Sequence, residues 1–146
     1  MSILKIRAYA ENDEPAILEL WAACRLVVSH NDPRKDIRRK IGVNPEWFLI
    51  AEENDRIVAS CMVGYEGHRG WINYLAVSPD AQRRGIASRL MEEAEKLLRA
   101  AGCPKINLQI RSTNLQVIEF YQSLGFKIDE VASMGKRLEI DGDHGG

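Results

Sequence analysis

Four stretches of the chain repeat apolar residues at intervals of three and four, which is the spacing of an amphipathic helix. The longest covers residues 85–101 and carries Glu–Lys and Glu–Arg pairs four residues apart on its polar side. The first follows Asn12 or Asp13, either of which can cap a helix, and its apolar spacing extends to Val27 or Val28. The other two cover residues 34–41 and 115–124. The pattern predicts four helices.

Shorter apolar runs, bounded by turn residues, predict the strands. Residues 47–52 and 57–65 are separated by Glu-Asn-Asp-Arg, which indicates a hairpin, and a Gly-His-Arg-Gly turn leads from there into residues 71–77. The remaining runs lie around Ile3 and Ile6 and at residues 106–110, 126–132 and 134–140. In this order the elements predict an α+β fold, with four helices and a mixed, mostly antiparallel central sheet of about seven strands. The unit from residue 71 to residue 110 is expected to be a parallel, right-handed crossover.

The length of the chain sets its domain organisation. With 146 residues, of which 45% are hydrophobic, it can bury one sizeable core and is too short to suggest two. We therefore expect a single domain over residues 1–140. Residues 141–146 read Asp-Gly-Asp-His-Gly-Gly, lack apolar anchors and are expected to form a mobile tail.

Charge and cysteine usage exclude several classes of partner. The chain carries 20 Lys and Arg against 21 Asp and Glu, so it lacks the basic excess that nucleic-acid binding or membrane-surface binding normally needs. No apolar signal core precedes the first acidic residues, and the longest apolar stretch, around residues 57–63, is far short of a membrane span. Three widely separated cysteines without a Cys-x-x-Cys pair or a histidine cluster indicate free thiols and no metal site. These features predict a cytoplasmic protein.

The segment from Val77 to Ala87 carries the first sign of chemistry. A predicted strand ends at Val77 and the longest helix begins near Gly85, so several unpaired backbone N–H groups lie at the positive end of a helix dipole. Such a junction suits a phosphate, and Arg83 and Arg84 either add charge there or are simply solvated. A glycine near a helix start is common, however. The segment is also neither a P-loop, since no Gly-Lys-Ser/Thr follows, nor a dinucleotide fingerprint, since it contains a single glycine.

Two sequence motifs, one following the other along the chain, indicate the function more specifically. Residues 82–87 read Gln-Arg-Arg-Gly-Ile-Ala and follow a Leu-Ala-Val-Ser-Pro strand end. Downstream, Asn114 begins a helix that carries Tyr121 and ends in Leu-Gly-Phe. Over nearly its whole length the chain resembles the GNAT superfamily of N-acetyltransferases. Within that superfamily it is similar to small bacterial YpeA-type acetyltransferases, and residues 108–126 are similar to RimI-type enzymes, which acetylate protein N-termini.

The resemblance implies acetyl-CoA as co-substrate. By that analogy the amides of residues 83–88 cradle the pyrophosphate, Gln82 adds a side-chain contact, and the backbone of strand 71–77 pairs with the pantetheine arm. This pairing requires the fourth strand, 71–77, to splay from the fifth, 106–110. Asn114 matches the family position that contacts pantetheine, and its plainer role is a helix cap. The expected cofactor-binding residues are Leu75, Ala76, Val77, Gln82, Arg83, Arg84, Gly85, Ile86, Ala87, Ser88, Asn114 and Tyr121.

The resemblance also suggests catalytic residues. Tyr121 is the candidate general acid that protonates the departing CoA thiolate; the alternative is a half-buried core aromatic. The general base is less clear, because Gln109 and Trp71 occupy positions where relatives often have Glu. Glu66 and His68 are the remaining candidates, with Glu66 preferred, although the position of both in a loop favours plain solvated residues.

A water relay through Tyr74 and Asn73 is a further alternative to a side-chain base. Asp32 and Asp36 on the second helix could attract a cationic amine, although Asp32 is also placed to cap that helix.

We expect an N-acetyltransferase that moves the acetyl group from acetyl-CoA to a primary amine by direct attack. The acceptor is either a small-molecule amine or a protein amino group, and the family often forms homodimers. The alternative from a different class is a non-catalytic module that senses acetyl-CoA or regulates a partner. The positions without the expected Glu keep this alternative open.

Overall fold

The computed structural model describes residues 3–141. Four α-helices and five strands form within this range, joined by short 3₁₀ turns at Glu11–Asp13, Pro45–Trp47 and Pro79–Ala81. The strands are β1 (Leu4–Ala8), β2 (Phe48–Glu53), β3 (Arg56–Tyr65), β4 (Gly70–Val77) and β5 (Ile106–Asn107). The helices are α1 (Glu14–Ala23), α2 (Pro33–Ile41), α3 (Ile86–Ala100) and α4 (Leu115–Ser123).

The five strands form one mixed sheet in the order of the sequence. Neighbouring strands from β1 to β4 are antiparallel, and β4 and β5 are parallel, with α3 as the crossover between them. The predicted hairpin and the predicted parallel unit are therefore both confirmed. The β4–β5 ladder has only the pairs Gly70↔Ile106 and Trp71↔Asn107, whereas β4 continues to Val77. The rest of β4 thus lies outside the β5 ladder.

Helices cover both faces of the sheet, and each face has its own hydrophobic core. On one face Leu90, Ala94 and Leu98 of α3 pack with Tyr121 of α4 against the sheet. On the other face Ile17 and Trp21 of α1 and Ile37 of α2 pack against β2, β3 and β4. The apolar stripe predicted for residues 85–101 is the face of α3 that is buried.

The prediction of about seven strands was wrong for the part of the chain that is described, because residues 126–132 and 134–140 form no strand. A strand needs a partner edge, and β5 ends at Asn107 instead of continuing to residue 110. Side chains connect the β5 region with residues 126–132 instead. Lys105 and Asn107 both donate a hydrogen bond to Asp129, at 3.0 Å. The apolar residues of the final segment consequently stay exposed, and these are Ile128, Val131, Met134, Leu138 and Ile140.

Two predicted boundaries also differ. Helix α1 ends at Ala23 rather than near Val28, because Arg25 adopts a left-handed conformation with φ of 58° that cannot continue a right-handed helix. Asp141, expected at the start of the mobile tail, is buried and accepts hydrogen bonds from Arg39 at 2.7 Å and from the Asp32 amide at 3.2 Å. Residues 142–146 lie outside the described residues, and no helix within 3–141 has the length and apolar content to cross a membrane.

Candidate active site

A bulge interrupts strand β4. Ser60 of β3 lies opposite Ala76 and Met62 lies opposite Asn73, so Tyr74 and Leu75 together face a single residue of β3. Tyr74 takes the left-handed conformation, with φ of 51°. The bulge changes which side chains share a face, since Ile72 packs with the α3 core whereas Tyr74 and Ala76 pack with the α1 and α2 core. The bulge thus lies in the strand that, by the resemblance, is expected to pair with the pantetheine arm of acetyl-CoA.

A buried chain of hydrogen bonds holds the bulge in place. The Trp21 indole N–H donates to the Ser60 hydroxyl at 2.9 Å, and that hydroxyl donates to the Tyr74 carbonyl at 2.8 Å. Trp21 and Ser60 are both fully buried, so the bond between them is shielded from water. The Tyr74 ring stacks on Trp21 with 3.8 Å between ring centroids. The bulge is therefore a fixed feature of this core.

The loop between β4 and α3 is tied to the end of the strand. Gln82 Nε2 donates to the carbonyl oxygen of Val77 at 3.0 Å, and Cys24 Sγ donates to the same oxygen at 3.2 Å. The structure thus brings together Gln82 and Val77, which the sequence placed in one site.

The N-terminus of α3 carries no side-chain cap within the described chain. Gly85 is the N-cap residue, with φ of 79°, and Arg83 two residues earlier also has positive φ, at 63°. The first backbone hydrogen bond of the helix runs from the Arg89 amide to the Gly85 carbonyl, so the amides of residues 86–88 have no helical partner. The first turn holds no acidic residue. These features fit a phosphate.

The two arginines of the loop differ in their surroundings. Arg84 forms a two-point ion pair with Glu53 at the end of β2, which raises the pKa of the guanidinium. Arg83 is exposed and forms no ion pair with any residue in 3–141. Arg83 is therefore the arginine whose charge is available for a ligand at this helix N-terminus.

Tyr121 of α4 is buried, with 8% of its surface exposed, and it lies edge-on between the rings of Phe120 and Phe126. Its hydroxyl forms no hydrogen bond with any residue of the described chain, and its burial raises its pKa well above the ordinary value. The residue borders an open cavity of about 1400 Å³ between β5, α4 and residues 125–133. A buried phenol without a partner at a cavity wall is a proton donor without an acceptor.

Asn114 acts as the N-cap of α4. Its side-chain oxygen accepts a hydrogen bond from the Val117 amide at 3.4 Å. The capping role weighed in the sequence is thus present, and the predicted contact between Asn114 and pantetheine stays a prediction.

Glu66, the preferred base from the sequence, is engaged in its own turn. Its carboxylate accepts from the His68 amide at 2.8 Å, from the Arg69 amide and from the Trp71 indole at 2.9 Å. These donors favour the charged form and hold the pKa of Glu66 below its usual range. A carboxylate in this arrangement orders the turn before β4 and is a weaker base. Gln109, for its part, donates to the Ser133 hydroxyl.

Asp36 is a polar neighbour of the bulge that the sequence did not single out as catalytic. The Tyr74 hydroxyl donates to Asp36 Oδ2 at 2.7 Å, and Arg39 donates to Oδ1 at 3.1 Å. Burial, followed by the bond to Asp36, raises the pKa of Tyr74. No sequence motif joins these residues, because their contact depends on how α2 packs against β4. The one available signal is that Asp36 directly precedes Ile37, a buried residue of α2.

Comparisons with known proteins agree with this geometry. Residues 14–126 match the acetyltransferase (GNAT) family. An acetyltransferase of Pectobacterium atrosepticum is 44% identical over 141 residues, which cover 97% of this chain and all of that protein. The Ard1 structure from Thermoplasma volcanium superposes with a TM-score of 0.74 at 21% identity, covering 86% of this chain and 84% of that one.

A CoA complex of the aminoglycoside N-acetyltransferase AAC(6')-Iy superposes with a TM-score of 0.73 at 16% identity, covering 94% and 97% of the two chains. At this identity the likeness concerns the fold. The chain belongs to the GNAT acetyltransferase family, and it is an acetyl-CoA-dependent acetyltransferase. Residues 3–141 contain no group of three His, Cys, Asp or Glu side chains that could hold a metal ion.

Proposed function

We propose that this protein transfers the acetyl group of acetyl-CoA directly to a primary amine. The observation that carries the proposal is the uncapped N-terminus of α3, positioned directly after a bulged strand that extends beyond its parallel partner. A phosphate-binding helix end and an unpaired strand edge, side by side, match a ligand that has a pyrophosphate and an extended amide arm.

The chain's own groups divide the work of binding. The amides of residues 86–88 and the side chain of Arg83 hold the pyrophosphate, and the positive φ of Gly85 lets the backbone approach it. The backbone of Leu75–Val77 takes the pantetheine amides, with Ala76 buried beneath. Arg84 anchors the loop through its ion pair with Glu53 and does not bind the phosphates. The positive electrostatic potential at the N-terminus of α3 is sufficient to attract the phosphates. The protein therefore needs no overall basic excess, in keeping with its net charge of −1.

Bound acetyl-CoA supplies an activated acyl group as a thioester. Tyr121 supplies the proton that the departing thiolate needs, because a tyrosine phenol is protonated at neutral pH and no residue of the described chain accepts a hydrogen bond from it.

The test is a titration with acetyl-CoA followed by an assay of thiol release with four amines: kanamycin, spermidine, a peptide with a free α-amino group, and an N-blocked lysine peptide. Acetyl transfer predicts binding together with amine-dependent thiol release. Binding without thiol release on any of the four amines contradicts transfer to a primary amine of these kinds. Absence of acetyl-CoA binding contradicts the proposed site at the N-terminus of α3.

A further inference from the structure

Proton removal from the amine requires a group other than Tyr121. A primary ammonium has a pKa of about 10.4, so most of the acceptor is protonated at neutral pH and cannot attack. Tyr121 belongs to the α3 and α4 core and serves the sulfur. The acceptor nitrogen is a different atom and needs its own proton path. On the other face of the bulge the neighbouring residue is Tyr74.

The Tyr74 hydroxyl is oriented by Asp36, its only hydrogen-bond partner in the described chain. It donates to Asp36 Oδ2 at 2.7 Å, so its own lone pairs point away from that carboxylate. Asp36 Oδ1 is held in turn by Arg39 at 3.1 Å, which fixes the carboxylate without occupying Oδ2. A quarter of the Asp36 side chain is exposed, so a proton that arrives there can pass to water. Hydroxyl, carboxylate and solvent thus form a continuous path that starts beside the bulge.

We propose that Tyr74 and Asp36 form the proton-accepting pair of the reaction, with Tyr74 touching the amine and Asp36 acting through it. The proposal rests on the acetyl transfer to an amine proposed above. The Tyr74–Asp36 pair is then the base that Glu66, Gln109 and Trp71 do not provide.

An ammonium N–H proton moves to the Tyr74 oxygen while the Tyr74 proton moves to Asp36 Oδ2, and from there it reaches water. The freed nitrogen lone pair forms the bond to the acetyl carbon, and the carbon–sulfur bond breaks. The sulfur takes a proton from Tyr121, and the second N–H proton lost by the nitrogen restores that phenol through water. One proton ends on the CoA thiol and one in solvent.

Other charged groups surround the pair and bear on its pH dependence. Arg39 also binds Asp141 at 2.7 Å and Glu139 at 3.4 Å, so its charge is shared among three carboxylates. Asp32, the N-cap residue of α2, and Asp141, the last described residue, both act on Tyr74 through their negative charge. Lys35 pairs with Glu139 and Arg137 pairs with Asp141, each at 3.6 Å, so cations offset much of the carboxylate charge around the pair.

The test compares Asp36→Asn, Asp36→Glu and Tyr74→Phe with the wild type on whichever of the four amines is turned over fastest. Asn can still accept the Tyr74 hydroxyl hydrogen bond but cannot take the proton, and Phe keeps the ring on Trp21. We expect kcat to fall about 100-fold or more at pH 7 for Asp36→Asn and Tyr74→Phe, with the Kd of acetyl-CoA unchanged. The deficit should narrow at least about tenfold by pH 9.5, where solvent deprotonates the amine, and Asp36→Glu should recover part of the rate.

Glu139→Gln is the matched control, because it removes a carboxylate from the same arginine without touching Tyr74; its rate should stay within about twofold of wild type. A rate within about threefold of wild type for Asp36→Asn and Tyr74→Phe overturns the inference, as does a deficit that is the same at every pH. Thermal melting identifies a variant that fails to fold, and Tyr74→Phe then decides the result. Failure of every amine with the wild-type protein sinks the proposed function itself, and this inference with it.

Discussion

Gln82 donates a hydrogen bond of 3.0 Å to the carbonyl oxygen of Val77 and thereby closes the loop between β4 and α3. The bond sets the uncapped helix end against the last residue of the bulged strand. The two halves of the proposed acetyl-CoA site are therefore connected through one amide side chain.

Replacement of Gln82 by Ala is expected to weaken CoA binding. Loss of a hydrogen bond worth about 1 kcal/mol frees the loop and raises the Kd of CoA about fivefold in a calorimetric titration. Gln116→Ala, on the exposed side of α4, is the control and should bind CoA like the wild type. Equal affinity of both variants would show that the loop does not depend on this bond.

Gly85→Ala tests the anion cradle, with Gly67→Ala as a matched control. Both glycines have positive φ, 79° and 105°, and in neither case would an added Cβ meet another atom within 4 Å. Each substitution therefore costs about 1–2 kcal/mol of stability through backbone strain alone. Only Gly85 lies at the proposed phosphate site, so we expect the Kd of CoA to rise about tenfold or more for Gly85→Ala and to stay unchanged for Gly67→Ala. Equal CoA affinities would place the phosphates elsewhere.

Tyr121→Phe removes the proposed acid while it keeps the ring between Phe120 and Phe126. The hydroxyl has no partner to lose among residues 3–141, so the melting temperature should be unchanged or slightly higher. We expect kcat to fall about 100-fold with the Kd of acetyl-CoA retained, measured by thiol release and by titration. Full kcat in a folded Tyr121→Phe variant would remove Tyr121 from the mechanism.

Glu66→Gln separates a structural carboxylate from a catalytic one. The folded-state pKa of Glu66 is lowered, so its charged form stabilises the fold above its unfolded pKa of about 4.3, and this contribution disappears as the pH falls through the folded value. We expect the variant to melt at a lower temperature than wild type at pH 7 and to lose that difference in acid. Its pH–rate profile should match that of the wild type. A rate deficit at pH 7 that narrows at high pH would instead assign Glu66 as the base.

Local patterns were sufficient to predict most of the fold. The helical stripe that includes Leu90, Ala94 and Leu98 and the turn residues between β2 and β3 are encoded within a few neighbouring positions, so they could be read directly. The absence of strands at residues 126–132 and 134–140 could not be predicted in this way. Alternation around Ile128 is compatible with a strand, but a strand also needs a free edge, and the length of β5 depends on the whole sheet.

In the candidate site, too, local motifs could be predicted from the sequence and contacts between distant residues could not. The glycine at position 85 and the arginines before it form a contiguous motif, so the helix end could be located in the sequence. The partners of those side chains could not be located, because Arg84 meets Glu53 across 31 positions and Tyr74 meets Asp36 across 38. Such contacts follow from packing between elements, and the same holds for the donors that occupy Glu66.

The most direct measurement is a mass spectrum of the amine recovered from a reaction with acetyl-CoA, taken alongside the thiol released in the same reaction. The account predicts one acetylated nitrogen for each thiol released in the wild type, and a rate about 100-fold lower for both Tyr121→Phe and Tyr74→Phe. Thiol release without an acetylated amine, or tight acetyl-CoA binding without either product, would contradict it.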